Sequence, residues 1–115
     1  MADCLFCKVV AGEVPAKIVK RTDEAVAFRD IDPKAPTHVL VIPTQHIPAV
    51  RDANGPGSDQ LLGRLLAFSA QVATELGLDA KGYRIVTNTG PDAGQSVDHL
   101  HFHILGGRRL TWPPG

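Results

Sequence analysis

Three of the five histidines in this chain stand at positions 99, 101 and 103. On a β-strand, alternate side chains share a face and lie about 6.6 Å apart. His99, His101 and His103 would then line one face, while Leu100, Phe102 and Ile104 would bury the other. Two chemistries use such a row of imidazoles. Histidine is the commonest metal ligand, so three in register could hold a metal ion. A neutral imidazole can also attack an electrophile, with its neighbours fixing which ring nitrogen carries the proton.

The preceding loop favours the second chemistry. Gly90-Pro-Asp-Ala-Gly-Gln-Ser96 leads directly into the histidines. A glycine-containing turn can aim backbone N–H groups at an anion, and Gln95 and Ser96 add side-chain donors. A phosphate seated there would face the imidazole row.

The elements that must position these residues follow from the pattern of apolar and turn-forming residues. Residues 4–11 read as one or two helical turns. Ala16–Lys20 is a short, weak strand, Ala25–Arg29 a firmer one, and Asp30–Pro36 a loop carrying two prolines. His38–Ile42 is the clearest β-branched run, ended by Pro43. Asn54-Gly-Pro-Gly57 breaks the chain, and Ser58 is a natural helix N-cap. Leu61, Leu62, Leu65, Leu66, Val72, Ala73 and Leu76 recur at helical spacing before the stop at Gly77. Tyr83–Thr87 and His99–Leu105 are the last strands. The order of elements predicts an α+β fold, an antiparallel sheet with one long helix and a short N-terminal one.

Composition limits the possible partners. A length of 115 residues suits one domain, here residues 1–115. Twelve basic and twelve acidic side chains cancel. That argues against a nucleic-acid groove or a basic membrane surface, both of which need a strong positive field. No apolar run approaches the roughly 20 residues of a membrane span. Met1-Ala-Asp-Cys-Leu-Phe-Cys7 lacks the basic and apolar regions of a signal peptide. Cys4 and Cys7 are the only cysteines, and the cytoplasm, where thiols stay reduced, is the expected location.

The stretch Gly94-Gln-Ser-Val-Asp-His-Leu-His-Phe-His-Ile-Leu-Gly-Gly-Arg108 resembles the signature of the histidine triad family, in which histidines alternate with apolar residues. The closing Trp112-Pro-Pro-Gly115 and the Gln95-Ser96 pair are similar to the Hint branch, the purine nucleoside phosphoramidases. The likeness runs from Leu5 to the C-terminus. It implies a five-stranded antiparallel sheet and a hydrolase that breaks the P–N or P–O bond at the α-phosphate of nucleoside 5′-monophosphate derivatives, without a catalytic cofactor. By that resemblance His101 attacks phosphorus and forms a covalent nucleotidyl-histidine. His103 contacts the phosphate, and His38 belongs to the network that orients the imidazoles. Ser96, Gln95, Gly94 and Asn88 match the phosphate side. Asp30 and Ile31 match the ribose contacts, and Phe6, Val14, Phe28, Ile31 and Leu40 the slot for the base. Such a slot favours purines such as those of AMP and GMP by area. Trp112 matches a tail that reaches toward the partner's active site in a homodimer.

Cys4-Leu-Phe-Cys7 also has the spacing of a zinc half-site. In some bacterial members of the family two cysteines, a histidine after a strand and the first triad histidine hold zinc, matching Cys4, Cys7, His46 and His99. Four N/S ligands would make the ion structural. Asp98 stands where relatives mostly carry an aromatic or apolar residue. Three other functions fit the same residues: nucleotide binding without turnover, dinucleoside polyphosphate hydrolysis, and a metallohydrolase using the triad as ligands.

Overall fold

The structure, a computed structural model, describes residues 3–115. Residues 1–2 of the opening segment read above for a leader lie outside the described residues. The elements run α1 (Leu5–Val10), β1 (Ile18–Arg21), β2 (Ala25–Arg29), β3 (Thr37–Pro43), a short 3-10 turn (Val50–Asp52), α2 (Ser58–Glu75), β4 (Tyr83–Val86) and β5 (Phe102–Gly106). The five strands form one antiparallel sheet in the order β1-β2-β3-β5-β4. This is the α+β architecture expected from the order of elements.

The alternation of side chains divides the interior into two cores. Ala25 and Ala27 of β2, Val39 and Val41 of β3, and Phe102 and Ile104 of β5 face α2. There they meet Leu65, Phe68, Val72 and Ala73, which recur at helical spacing on its inner side. Val26, Phe28, Leu40 and Ile42 point the other way and pack beneath Phe6 and Val9 of α1. Burying each large apolar side chain contributes about 1.5–3 kcal/mol, so both faces matter to stability.

Helix α2 begins one residue earlier than a Ser58 cap would require. Gly57 is the N-cap, at φ +79°, and no side chain caps the helix. Its C-terminus closes at Gly77, φ +77°, where Leu78 N–H reaches Ala73 O and Gly77 N–H reaches Thr74 O, both at 3.0 Å. That double bond is the Schellman closure a glycine permits.

The last strand differs from its expected span of His99–Leu105. It pairs with β3 only from Val41↔Phe102 to Thr37↔Gly106. Continuing the register would bring Leu100 opposite Pro43, which has no N–H for a further rung. Residues 99–101 are therefore held by single bonds, Leu100 N–H to Ile47 O at 2.6 Å among them. The imidazole face is not solvated either: His99 and His101 are 0% and 3% exposed, because α1 lies over them.

Candidate active site and metal cluster

Register and backbone bonding bring the histidines into two adjoining groups. His103 stands directly opposite Leu40 on the α1 face, and His38 stands opposite Leu105. His38 Nε2 and His103 Nδ1 are 2.9 Å apart. The Lys34 backbone N–H donates to His38 Nδ1 at 3.0 Å, so in the neutral ring the proton must be on Nε2. His38 Nε2–H then donates to His103 Nδ1, and the His103 proton sits on Nε2. That nitrogen is buried and has no partner among the described residues. Burial foremost, then His101 and His38, pushes the His103 pKa down to about 4. Burial likewise lowers His38, opposed by the carboxylate of Asp30. Both rings are neutral near pH 7.

His101 is fixed by a different backbone group. Its Nδ1 lies 2.7 Å from the carbonyl oxygen of His99. A carbonyl can only accept, so Nδ1 carries the proton and Nε2 keeps the lone pair. His99 follows the same logic. Its Nε2–H donates to Pro43 O at 2.9 Å, leaving the lone pair on Nδ1. The triad histidines thus point their lone pairs in different directions and do not converge on one ion.

An apolar cleft of about 260 Å³ opens beside His101 and His103. Phe6, Val14, Phe28, Asp30, Ile31, Leu40, Ser96, His101 and His103, all candidates from the sequence, line it together. Leu5, Val9, Pro15, Ala16, Arg29 and Val97 line it too and were not foreseen. Val9 was open to inference, one helical turn after Phe6 on the same face of α1. Asp30 sits at the mouth, its Oδ1 accepting from Asp32 N–H at 2.8 Å and its Oδ2 3.5 Å from His38 Nε2.

Several candidates take other positions. Gln95 is the keystone of its loop: its Oε1 accepts from Gly90 N–H, and its Nε2 donates to Pro48 O and Val97 O. Its amide is spent on shaping the turn and offers no free donor there. Gly94, at φ +78°, supplies the turn itself. Asn88 follows β4 and does not line the cleft, and His38 lies outside it, lining an adjoining hollow that shares Ala16, Arg29, Asp30 and Ile31 with the cleft. Trp112 is 81% exposed in a tail where Arg84 donates to Thr111 O. Asp98 is exposed, and nothing in the structure explains its presence.

The second group is the cluster of Cys4, Cys7, His46 and His99, whose ligand atoms all lie within 4.8 Å of one another. Cys4 Sγ is 3.3 Å from His99 Nδ1, Cys7 Sγ is 3.3 Å from His46 Nδ1, and Cys7 Sγ is 3.6 Å from His99 Nδ1. Zinc–sulfur and zinc–nitrogen bonds of about 2.3 and 2.0–2.1 Å in a tetrahedron put donors about 3.4–3.8 Å apart. The donor set and its spacing fit zinc. The bond from His99 to Pro43 O also supplies the outer support that presents a ligating imidazole in one tautomer. Asp30, His38 and His103 form another close group. There the Lys34 N–H leaves His38 Nε2 a donor, which disqualifies it as a ligand.

Comparison with known proteins agrees with this fold. The HIT domain model matches residues 11–110. The chain is 50% identical over 113 residues to an uncharacterised HIT-like protein of Synechococcus elongatus, covering 98% of this chain and 97% of that one. It is 44% identical over 108 residues to the purine nucleoside phosphoramidase of Escherichia coli K12, covering 94% and 90%. The crystal structure of a HIT family hydrolase from Legionella pneumophila matches with a TM-score of 0.94 at 48% identity, covering 98% and 100%. This chain belongs to the histidine triad family.

Proposed function

We propose that this chain is a hydrolase acting on purine nucleoside phosphoramidates, with His101 as the nucleophile. The observation that carries the reading is the 2.7 Å bond from His101 Nδ1 to the His99 carbonyl, which in the neutral ring puts the lone pair on Nε2, beside the apolar cleft. A purine fits between Phe6, Phe28 and Leu40, and Asp30 accepts from the ribose hydroxyls. His101 Nε2 bonds to phosphorus as the P–N bond breaks, and the departing nitrogen takes a proton from solvent, balanced by the proton that water gives up in the next step. Water then attacks the same phosphorus, releases the nucleoside monophosphate and restores the free imidazole. The partnerless His103 Nε2–H and the Ser96 hydroxyl face the developing charge on the phosphoryl oxygens, where a fixed donor is worth a few kcal/mol. AMP and GMP derivatives are the expected substrates, since the walls of the cleft are apolar and offer little to tell one purine from the other. The similarity to the purine nucleoside phosphoramidase of E. coli supports the same substrate class.

Cys4, Cys7, His46 and His99 would hold a structural zinc ion in this reading. Such an ion would tie α1 to the segment carrying His101 and lend folding energy. A reducing compartment such as the cytoplasm suits the two free thiols. A second copy would cover the open edge of β4 and the exposed Trp112, making a homodimer.

The test is release of AMP from adenosine 5′-phosphoramidate by native protein and His101→Ala, with and without a chelator. Turnover at saturating substrate should vanish with the substitution and survive the chelator. Loss of turnover at saturating substrate when the metal is removed from folded protein would overturn the nucleophile assignment, and AMP binding without turnover in native protein would leave a nucleotide-binding role.

A further inference from the structure

We propose that the Cys4–Cys7–His46–His99 cluster is an effector site for the cleft: zinc and a purine nucleotide bind this chain cooperatively, coupled through the Phe6 ring and the His99 carbonyl. The proposal rests on the cleft being a nucleotide site and the cluster a zinc site, and adds that neither is energetically independent.

The weak component is α1. It spans six residues, far fewer than an isolated helix needs. Its N-cap is Cys4, whose sulfur accepts from Cys7 N–H at 3.4 Å, so both cysteines stand on its first turn. Without a metal the thiols contribute only long sulfur contacts of 3.3–3.6 Å. Beyond its own turns, α1 is held by the Arg21 Nη1–H bond to Val10 O at 3.0 Å and by the packing of Phe6 and Val9, and so short an element opens at low free energy. Yet α1 supplies Leu5, Phe6 and Val9 to the cleft, and Val14, Pro15 and Ala16 follow it into the same wall. An ion gathering the four donors would fix this wall against the β3 side through His46 and against the triad through His99.

Two routes lead from the cluster to the nucleophile. Phe6, between the two cysteines in sequence, meets His101 edge to face with centroids 5.1 Å apart and an interplanar angle of 87°. It meets His99 at 6.0 Å and Phe28 at 5.5 Å. The second route is covalent. The residue that would offer Nδ1 to the ion also offers its carbonyl to His101 Nδ1. Phe6 and His99 are thus positioning residues for His101. A ligand that orders these parts removes a cost that the other ligand would otherwise bear, and linkage makes the gain equal in both directions.

The experiment uses the full chain, zinc as the metal probe and AMP as the nucleotide probe. AMP affinity is measured by calorimetry on zinc-loaded and chelator-stripped protein, with circular dichroism to confirm that both are folded. Zinc affinity is measured by competition with a chromophoric chelator, with and without saturating AMP. We expect AMP to bind about tenfold tighter with zinc, within the usual range for coupled sites, and zinc to bind tighter with AMP by the same factor. Phe6→Leu, which keeps all four ligands, should still take up one zinc per chain while the factor falls toward one. If stripped protein unfolds, AMP tightens zinc uptake through folding alone, and the fall in that factor in Phe6→Leu reads the local coupling. Zinc and AMP that both bind but leave each other's affinity unchanged would overturn the coupling alone. No zinc uptake would overturn the cluster assignment and the coupling with it, and no AMP binding in either form would overturn the nucleotide reading itself. Full coupling in Phe6→Leu would overturn the role of Phe6.

Discussion

Three imidazoles at this site take their protonation pattern from a backbone atom, Lys34 N–H for His38, the His99 carbonyl for His101 and the Pro43 carbonyl for His99, and His103 takes its own from the His38 ring. The consequence at His101 is a division of labour. Replacing it with alanine should lower turnover by about 10⁴-fold or more, as loss of a nucleophile does, while AMP binding measured by calorimetry stays within a few-fold. Replacing His103 with asparagine should cost about 10²–10³-fold in kcat, the usual effect of losing one phosphoryl-facing donor. His103 also makes folding pH-dependent. Its folded pKa, near 4, lies below the ordinary histidine value of about 6.5. The unfolded chain therefore binds more protons between those limits, and stability falls as pH drops from about 6.5 toward 4. Urea midpoints at pH 7 and pH 5 should show the loss, and His103→Asn should show a smaller one. The spacing of His99, His101 and His103 was enough to assign the triad from the sequence. The Lys34 and Pro43 partners of His38 and His99 were not legible, because they depend on how the chain folds around these residues. Gln95 was misleading for a related reason: a loop amide can serve a ligand or its own turn, and only the fold decides.

At the scale of elements, legibility tracked hydrophobic periodicity. Ala25–Arg29 was read with the boundaries it has, and Leu65, Val72 and Ala73 marked the buried side of α2. Boundaries failed where the residues of an element do not set them: β1 starts at Ile18 and not Ala16, α2 is capped at Gly57 and not Ser58, and the start of β5 is set by a proline on the neighbouring strand. Two substitutions test the framework. Leu65, 1% exposed, fills the centre of the α2 core, and Leu65→Ala should cost about 2–5 kcal/mol in denaturant unfolding. Gly107 holds φ +90° just beyond β5, and a Cβ there would come within 2.8 Å of Pro36 Cβ. Gly107→Ala should destabilise by about 1–3 kcal/mol, combining strain with a clash against the ring. Pro36 lies two residues before His38, so the substitution should also disturb the imidazole relay.

The whole molecule places its chemistry on one side of the sheet. The larger core, beneath α2, faces away from every histidine, and the thin layer under α1 holds both the cleft and the Cys4–Cys7–His46–His99 cluster. Stability and function are thereby separated: Leu65→Ala should lower the unfolding midpoint with little change in AMP affinity, whereas, on the proposal of a zinc site, stripping the metal should act on both. The C-terminal tail lies outside either layer. Trp112 is the only tryptophan in the chain and is 81% exposed, which makes it a built-in optical reporter. An indole mostly in water emits at long wavelength, and one enclosed by another protein surface emits at shorter wavelength. If two copies associate over this tail, the emission maximum should move red on dilution as they part. A maximum that stayed at the solvent-exposed position at every concentration would mean that the tail remains in water, whatever the rest of the chain does.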